Sequence, residues 1–111
     1  MNTQPHLIQI MNRFNKANIA VLFKKTGCKP CKLAQKNLRE LLLEKEYLGE
    51  FIKVLDIEHH TALRGVYCLE AFPTLLLLDP HGQEIKRTVG GRNLTKEYFD
   101  TALTEIKQGK L

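Results

Sequence analysis

The sequence predicts an α/β domain in which a mixed sheet of about four strands is flanked by helices. Three short apolar runs, at residues 19–23, 51–57 and 74–79, have the length and composition of buried strands. Segments with helical periodicity separate these runs, and the turn sequence "DPHG" leads into a fourth candidate strand. The chain has 111 residues, so we expect a single domain spanning residues 1–111.

The first half of the chain predicts two helices around one strand. Leu7, Ile10, Met11 and Phe14 are spaced as one face of a short amphipathic helix. Residues 19–23 follow as a strand buried on both faces. From Pro30 to about residue 45 the pattern is helical again, because Pro suits the first turn and no Gly or Pro interrupts the rest. Its expected inner face consists of Leu33, Leu38, Leu41 and Leu42.

The second half predicts three strands and a terminal helix. Residues 51–57 form a strand parallel to the first, because a helix connects the two, and residues 61–69 form a short helical connection. The run at 74–79 is entirely apolar and is therefore expected in the centre of the sheet. Residues 79–82 turn the chain, so residues 84–89 pair antiparallel with it. The last helix carries an apolar stripe, is capped by Thr95 or Asn93, and ends at Gly109; the stripe consists of Tyr98, Phe99, Ala102, Leu103 and Ile106.

Composition and charge exclude several classes of protein. With 43% hydrophobic and 26% charged residues, the chain is neither disordered nor repetitive. No run is long enough to span a membrane and no signal-peptide core is present, so we expect a cytoplasmic protein, with a removed leader as the alternative.

The net charge is +5, and six Lys or Arg residues but no Asp or Glu lie in the segment from Lys24 to Arg39. This cluster is either a solvated helix face or a basic rim that attracts acidic clients. Without interleaved aromatic residues, it does not indicate nucleic-acid binding.

Two of the three cysteines, Cys28 and Cys31, lie in the stretch "TGCKPCK" at the junction of the first strand and its helix. Such a pair can perform redox chemistry, bind a metal or simply pack. An odd, low cysteine count argues against a secreted disulfide framework. His59 and His60 could join a zinc site, but a structural site usually needs four ligands, so no metal and no cofactor are expected. The helix N-terminus favours a Cys28 thiolate, and Lys29 adds a positive charge.

The cysteine pair is followed by "FPT" at residues 72–74, which opens an apolar strand, and by "VGG" at residues 89–91 before the terminal helix. From about residue 19 to the C-terminus, this combination resembles the thioredoxin family. The resemblance implies a thioredoxin-like three-layer sandwich and a thiol–disulfide oxidoreductase, in which Cys28 is the nucleophile and Cys31 the resolving thiol. A proline just before the second cysteine resembles the reducing members of the family, so the resemblance implies a reductant. Protein disulfides are the implied substrates, and an upstream dithiol reductant or reductase is the implied electron donor.

The resemblance also implies a set of substrate-binding residues around the cysteines. The resemblance implies that the peptide bond between Phe72 and Pro73 is cis and that Phe72 offers its backbone to an extended substrate. The alternative is an ordinary trans proline at the start of a strand. The segment "VGG" at residues 89–91, with Gly90 at its centre, either lines the groove or forms a plain turn. A thioredoxin-fold adaptor or redox-sensing binding module is the alternative function. The full implied set is Gly27, Lys29, Pro30, Phe72, Pro73 and Gly90.

Three residues, Gly27, Leu22 and Val54, depart from the family pattern, and the chain has a third cysteine at residue 68. Gly27 precedes the first cysteine, where the family has tryptophan, so we expect a differently shaped groove. Leu22 and Val54 occupy the positions of a buried acid and its lysine partner, and losing both together avoids an uncompensated buried charge. Cys68 is expected to be a buried structural cysteine, with a second redox or regulatory thiol as the alternative.

Overall fold

The computed structural model describes residues 18–110, so the helix expected over residues 7–14 lies outside the described part of the chain. Three short 3-10 turns, at Glu46–Phe51, Ile57–His59 and Gly91–Asn93, connect the main elements. The four strands and three helices follow in chain order: β1 Ile19–Lys24, α1 Lys29–Glu44, β2 Ile52–Asp56, α2 Thr61–Val66, β3 Thr74–Leu78, β4 Glu84–Val89 and α3 Lys96–Lys107.

The sheet has four strands in the order β2-β1-β3-β4. β1 is parallel to β2 and antiparallel to β3, and β3 is antiparallel to β4. This arrangement confirms the expected mixed sheet, the parallel first pair and the closing hairpin. β3 lies between two other strands and all five of its residues are buried, as its apolar composition predicted.

Each face of the sheet has its own apolar core, because neighbouring residues of a strand point to opposite faces. On the first, which we call the two-helix face, Ala20 and Leu22 pack in one cluster with α1 and α3. On the second, which we call the cysteine face, Val21 and Phe23 share a cluster with Cys28 and Cys31. The remaining members of the cysteine face are Ile19, Leu55, Ile57, Leu63, Tyr67, Leu69, Phe72, Leu76 and Leu78.

Helix α1 begins with Cys28 as its N-cap and carries Pro30 in its first turn, as expected. Its buried residues are Cys31, Ala34, Leu38 and Leu41, which are spaced along one helical stripe. The prediction that Leu33 belongs to the inner face is wrong, since 45% of this residue is exposed. Leu33 lies off the stripe, on the side of α1 that borders the functional site.

The second strand is shorter than the predicted 51–57. Phe51 ends one 3-10 turn and Ile57 begins another, where the Asp56 carboxylate accepts a hydrogen bond from the Glu58 N–H at 2.9 Å. At α3, Thr95 rather than Asn93 is the cap, because its hydroxyl accepts the Tyr98 N–H at 3.0 Å. These end positions depend on side-chain hydrogen bonds, which hydrophobic periodicity does not encode.

Candidate functional site

The cysteine pair lies where the chain leaves β1 and enters α1. Gly27, with a φ of +74°, makes the turn that brings Cys28 to the N-cap position. Cys28 and Cys31 form a disulfide, with their Cα atoms 5.2 Å apart, within the usual range for such bonds. The pair therefore holds two sulfurs at one helix N-terminus, in contact with the core of the cysteine face.

The two sulfurs have different environments. The Cys28 sulfur accepts the Cys31 N–H at 3.2 Å and lies 3.6 Å from the Phe72 carbonyl oxygen. Cys31 is only 1% exposed, compared with 7% for Cys28. No acidic residue in the first turn of α1 offsets the positive end of the helix dipole. The helix N-terminus and the Cys31 N–H would therefore favour a Cys28 thiolate once the disulfide is reduced, and Cys31 is the more shielded of the two.

The loop around Phe72 is attached to the segment that precedes α3. The peptide bond between Phe72 and Pro73 is cis. The Pro73 carbonyl accepts a hydrogen bond from the Gly90 N–H at 2.9 Å, and the Thr74 hydroxyl donates to the Ala71 carbonyl at 2.7 Å. Two motifs that are distant in sequence, "FPT" and "VGG", thus meet beside the cysteines.

A groove with a volume of about 570 Å³ lies next to the cysteine pair. It includes four of the six expected substrate-binding residues, whereas Gly27 and Pro73 are not among its lining residues. Sequence reasoning missed Leu33, Arg92 and Asn93, for which the only signal was proximity to a motif. The complete lining is Lys29, Pro30, Leu33, Phe72, Gly90, Gly91, Arg92 and Asn93.

Gly91 determines how closely the two walls of this groove approach each other. A Cβ atom at this buried position would lie 2.6 Å from the Pro30 carbonyl oxygen, so only glycine fits without a shift of backbone. Gly90 serves a different purpose, since its φ of +99° turns the chain and its N–H binds Pro73. Both glycines belong to the segment "VGG", for which a place in the groove was expected, with Gly90 as the named contact.

Acidic residues at the end of β2 hold the loop that precedes Cys28. Lys24 forms a salt bridge with Asp56 at 3.3 Å, and Glu58 accepts the Thr26 N–H at 3.2 Å and its hydroxyl at 3.0 Å. The pKa of Asp56 is lowered from 3.8 to about 2. The largest contribution comes from the Glu58 side chain, the next from the Glu58 N–H, and the Lys24 ammonium adds to both. The loop is thus anchored by the Asp56 carboxylate, which is ionised at neutral pH, and by the hydrogen bonds that Thr26 donates to Glu58.

The expectation that Cys68 is buried is wrong, because this free thiol is exposed. α2 ends at Val66, Tyr67 points into the core, and Cys68 adopts a φ of +52° that places its side chain outside. His59 is also exposed. Across residues 18–110, no group of three or more His, Cys, Asp or Glu side chains is arranged to hold a metal ion.

Leu22 and Val54, the residues found where the family has an ion pair, are direct neighbours in the parallel pairing of β1 and β2. Leu22 is fully buried in the two-helix face, and Val54 is 37% exposed. Thr74 is the one buried polar side chain among the described residues. No Asp, Glu, Lys, Arg or His side chain in residues 18–110 is therefore buried in the core beneath the cysteines.

Comparison with known proteins gives a consistent result for the fold. No protein-family model and no curated protein sequence matches the chain. Among solved structures, thioredoxins from Malassezia sympodialis and Fasciola hepatica are 18% and 21% identical, with TM-scores of 0.72 and 0.71. The alignments cover 96% of this chain and 87% of the first, and 90% of this chain and 90% of the second. A poplar thioredoxin h is 19% identical with a TM-score of 0.71, covering 96% of this chain and 92% of that one.

The chain therefore has the thioredoxin fold. Within residues 18–110, none of the helices combines the length and apolar character that crossing a membrane requires.

Proposed function

We propose that this protein is a thiol–disulfide oxidoreductase that reduces disulfide bonds in other proteins. The observation that carries this proposal is the placement of Cys28: it caps α1, accepts the Cys31 N–H, and lies 3.6 Å from the Phe72 carbonyl beside an open groove. A sulfur in this position combines a stabilised thiolate with a nearby surface for an extended substrate.

The proposed cycle starts from the reduced protein. The Cys28 thiolate attacks one sulfur of a substrate disulfide, forms a mixed disulfide and displaces the other substrate sulfur, which takes up a proton. Cys31, as a thiolate, then attacks the Cys28 sulfur and releases the second substrate thiol. Two electrons pass to the substrate, and the protein is left with the Cys28–Cys31 disulfide. An upstream dithiol reductant or reductase restores the dithiol.

The groove residues have distinct roles in this proposal. Phe72 presents its backbone to the substrate strand, and Pro73 fixes Phe72 through the hydrogen bond to Gly90. Lys29 and Pro30 form the wall on the side of α1. At Gly27 no atom lies within 4 Å of where a Cβ would stand, so the approach to Cys28 is open where the family has a tryptophan.

We also propose that the chain works as a single domain in the cytoplasm, with the cysteine pair as its only redox group. The exposed free thiol of Cys68 supports a reducing compartment, because exposed single cysteines are readily oxidised elsewhere.

Insulin disulfide reduction with a dithiol donor tests the activity. The wild-type protein is expected to accelerate the reaction over donor alone, Cys28→Ser to abolish the acceleration, and the matched control Cys68→Ser to retain it. Cys31→Ser is expected to accumulate mixed disulfides through Cys28, which mass spectrometry of trapped clients would identify. Trapping through Cys68 alone would contradict the assigned roles.

The alternative, a thioredoxin-fold adaptor or redox-sensing binding module, gives the opposite pattern. An adaptor would show no acceleration over donor alone and would retain a partner in the Cys28→Ser variant. A redox sensor would bind its partner with different affinity before and after reduction, without turnover.

A further inference from the structure

Four cations lie at the groove and make no salt bridge with any acid in residues 18–110. Two of them, Lys29 and Arg92, line the groove itself. The other two stand over its Phe72 wall, where the Lys25 Nζ is 5.8 Å and the Arg64 Cζ is 5.4 Å from the ring centroid.

The acids nearest to the site are arranged differently. Asp56 is engaged by Lys24, and Glu58 accepts two hydrogen bonds from Thr26. Only Glu70 remains as an exposed acid on the segment that leads to Phe72. A cation over an aromatic ring is attracted to the ring and keeps its charge. The surface around the groove is therefore positively charged.

We propose that the clients of this groove are proteins whose disulfide cysteine is flanked by Asp or Glu residues. This inference rests on the proposed function, since it concerns the substrate class of the same site. An extended strand advances about 3.3 Å per residue, so acids roughly one to three residues from the client cysteine would reach the cations around Phe72 and Lys29. The Cys28 sulfur itself lies 3.6 Å from the Phe72 carbonyl, which places the client cysteine at the centre of these charges.

The charges distinguish an acidic client from a neutral one mainly during encounter. Charge complementarity raises association rates by roughly 10-fold or more at low ionic strength, and salt removes the effect because the Debye length falls to a few ångströms. Like charge has the opposite effect. The wild-type protein should therefore rank substrates by the charge beside the disulfide.

Three disulfide-linked peptides of equal length test this ranking, with Asp and Glu, Ser and Gln, or Lys and Arg beside the cysteine. We expect kcat/KM for the acidic peptide to exceed that for the basic peptide by about 10-fold or more at low ionic strength, and by less than about 3-fold near 0.5 M salt. The neutral peptide should fall between them.

Charge-reversed variants locate the effect. Lys25→Glu/Arg64→Glu should remove or invert the preference between the acidic and basic peptides. Lys107→Glu/Lys110→Glu changes the net charge equally at the C-terminal end of α3, away from the groove, and should keep the wild-type preference within about 2-fold. Circular dichroism and thermal unfolding verify that both variants are folded. Each readout is a ratio between peptides, so a general loss of activity does not affect it.

The possible failures are distinguishable. Equal rates on all three peptides, or a preference that the two double variants change equally, would overturn the acidic-client inference while the reductase function stands. A neutral peptide that is not reduced in a Cys28-dependent reaction would instead overturn the proposed function. A single-stranded DNA 20-mer that blocks reduction of the neutral peptide, with no preference among peptides, would assign these cations to nucleic acid and reject the inference.

Discussion

The two faces of the sheet are built from the same strands but are closed in different ways. The two-helix face is covered by α1 and α3, which the ion pairs Lys45–Asp100 and Glu44–Lys96 join at its edge. The cysteine face is covered by the short helix α2 and by irregular segments. Long regular elements thus close one face, while the face covered by loops carries the sulfurs and the groove.

This contrast shows how one sheet can combine a stable framework with an open site. On the two-helix face, apolar side chains pack closely between regular elements, so a substitution there lowers the free energy of unfolding. On the cysteine face, short loops bring distant motifs together, so a substitution there alters geometry at the groove. The following predictions test that division, beginning with the largest expected effect.

The first prediction places a charge in the two-helix face. Leu22→Asp should lower the free energy of unfolding by about 3–5 kcal/mol, because the carboxylate would be buried without a partner. Val54→Asp, at the partly exposed neighbour on β2, should cost less than about 1 kcal/mol. Urea denaturation measures both, and Leu22→Asp/Val54→Lys should recover part of the loss. Equal losses in the two single variants would contradict the division between buried and partly exposed positions.

The second prediction compares two phenylalanines on opposite faces. Phe72→Ala should lower kcat/KM for disulfide reduction by about 10-fold or more, since it removes a wall of the groove beside Cys28. Phe99 is a fully buried residue of α3, so Phe99→Ala should cost about 3–5 kcal/mol of stability instead. The Phe99 variant, assayed at a temperature where it remains folded, is expected to keep its activity. A reversal of these effects would show that the faces do not divide stability and substrate contact.

The third prediction uses two glycines. Gly91→Ala should reduce both groove-dependent activity and stability, by about 1–3 kcal/mol, because the new Cβ would meet the Pro30 carbonyl. Gly65→Ala in α2 meets no atom within 4 Å and should be neutral or stabilise the protein by about 0.4–1 kcal/mol. Thermal unfolding and the insulin assay measure the pair. If Gly91→Ala behaved like Gly65→Ala, the close contact with Pro30 would not control the groove.

The fourth and smallest effect concerns acid stability. The pKa of Asp56 is about 2 in the folded protein and 3.8 when unperturbed, so its ionised form stabilises the fold above that range. This contribution should be lost as the pH falls through 3.8 towards 2. Asp56→Asn is therefore expected to be less stable than wild type at neutral pH, with the difference disappearing near pH 2. Glu50→Gln, at an exposed acid, is the control; a pH-independent deficit of Asp56→Asn would contradict the linkage.

The fold was largely predictable because its two central strands, β1 and β3, are apolar on both faces. Short apolar runs gave β1 and β3, the turn chemistry at residues 79–82 gave the β3–β4 hairpin, and the helical stripe of α3 was correct. The errors arose where local packing and backbone conformation, rather than hydrophobic periodicity, determine whether a side chain is buried. Leu33 matched a helical pattern but lies beside the groove, and Cys68 is turned outward by a left-handed backbone conformation.

The site was predictable only where a motif marks it. Cys28, Cys31, Phe72 and Gly90 belong to recognisable patterns, and the structure brings them together. Arg64 and Arg92 belong to no motif, and their position beside Phe72 and the groove follows from the packing of α2 and of the turn before α3. Tertiary contacts of this kind have no local sequence signal.

The contact between Gly91 and Pro30 has a consequence for mutational tolerance. A residue at position 91 shares its space with the backbone of the helix that carries both cysteines, so even the smallest enlargement requires α1 or the adjoining turn to move. The neighbouring Leu33 side chain points into open space and imposes no such limit. In a library of single substitutions selected for disulfide reduction, position 91 should retain almost only glycine, while position 33 accepts many residues and offers the simplest route to altered client preference.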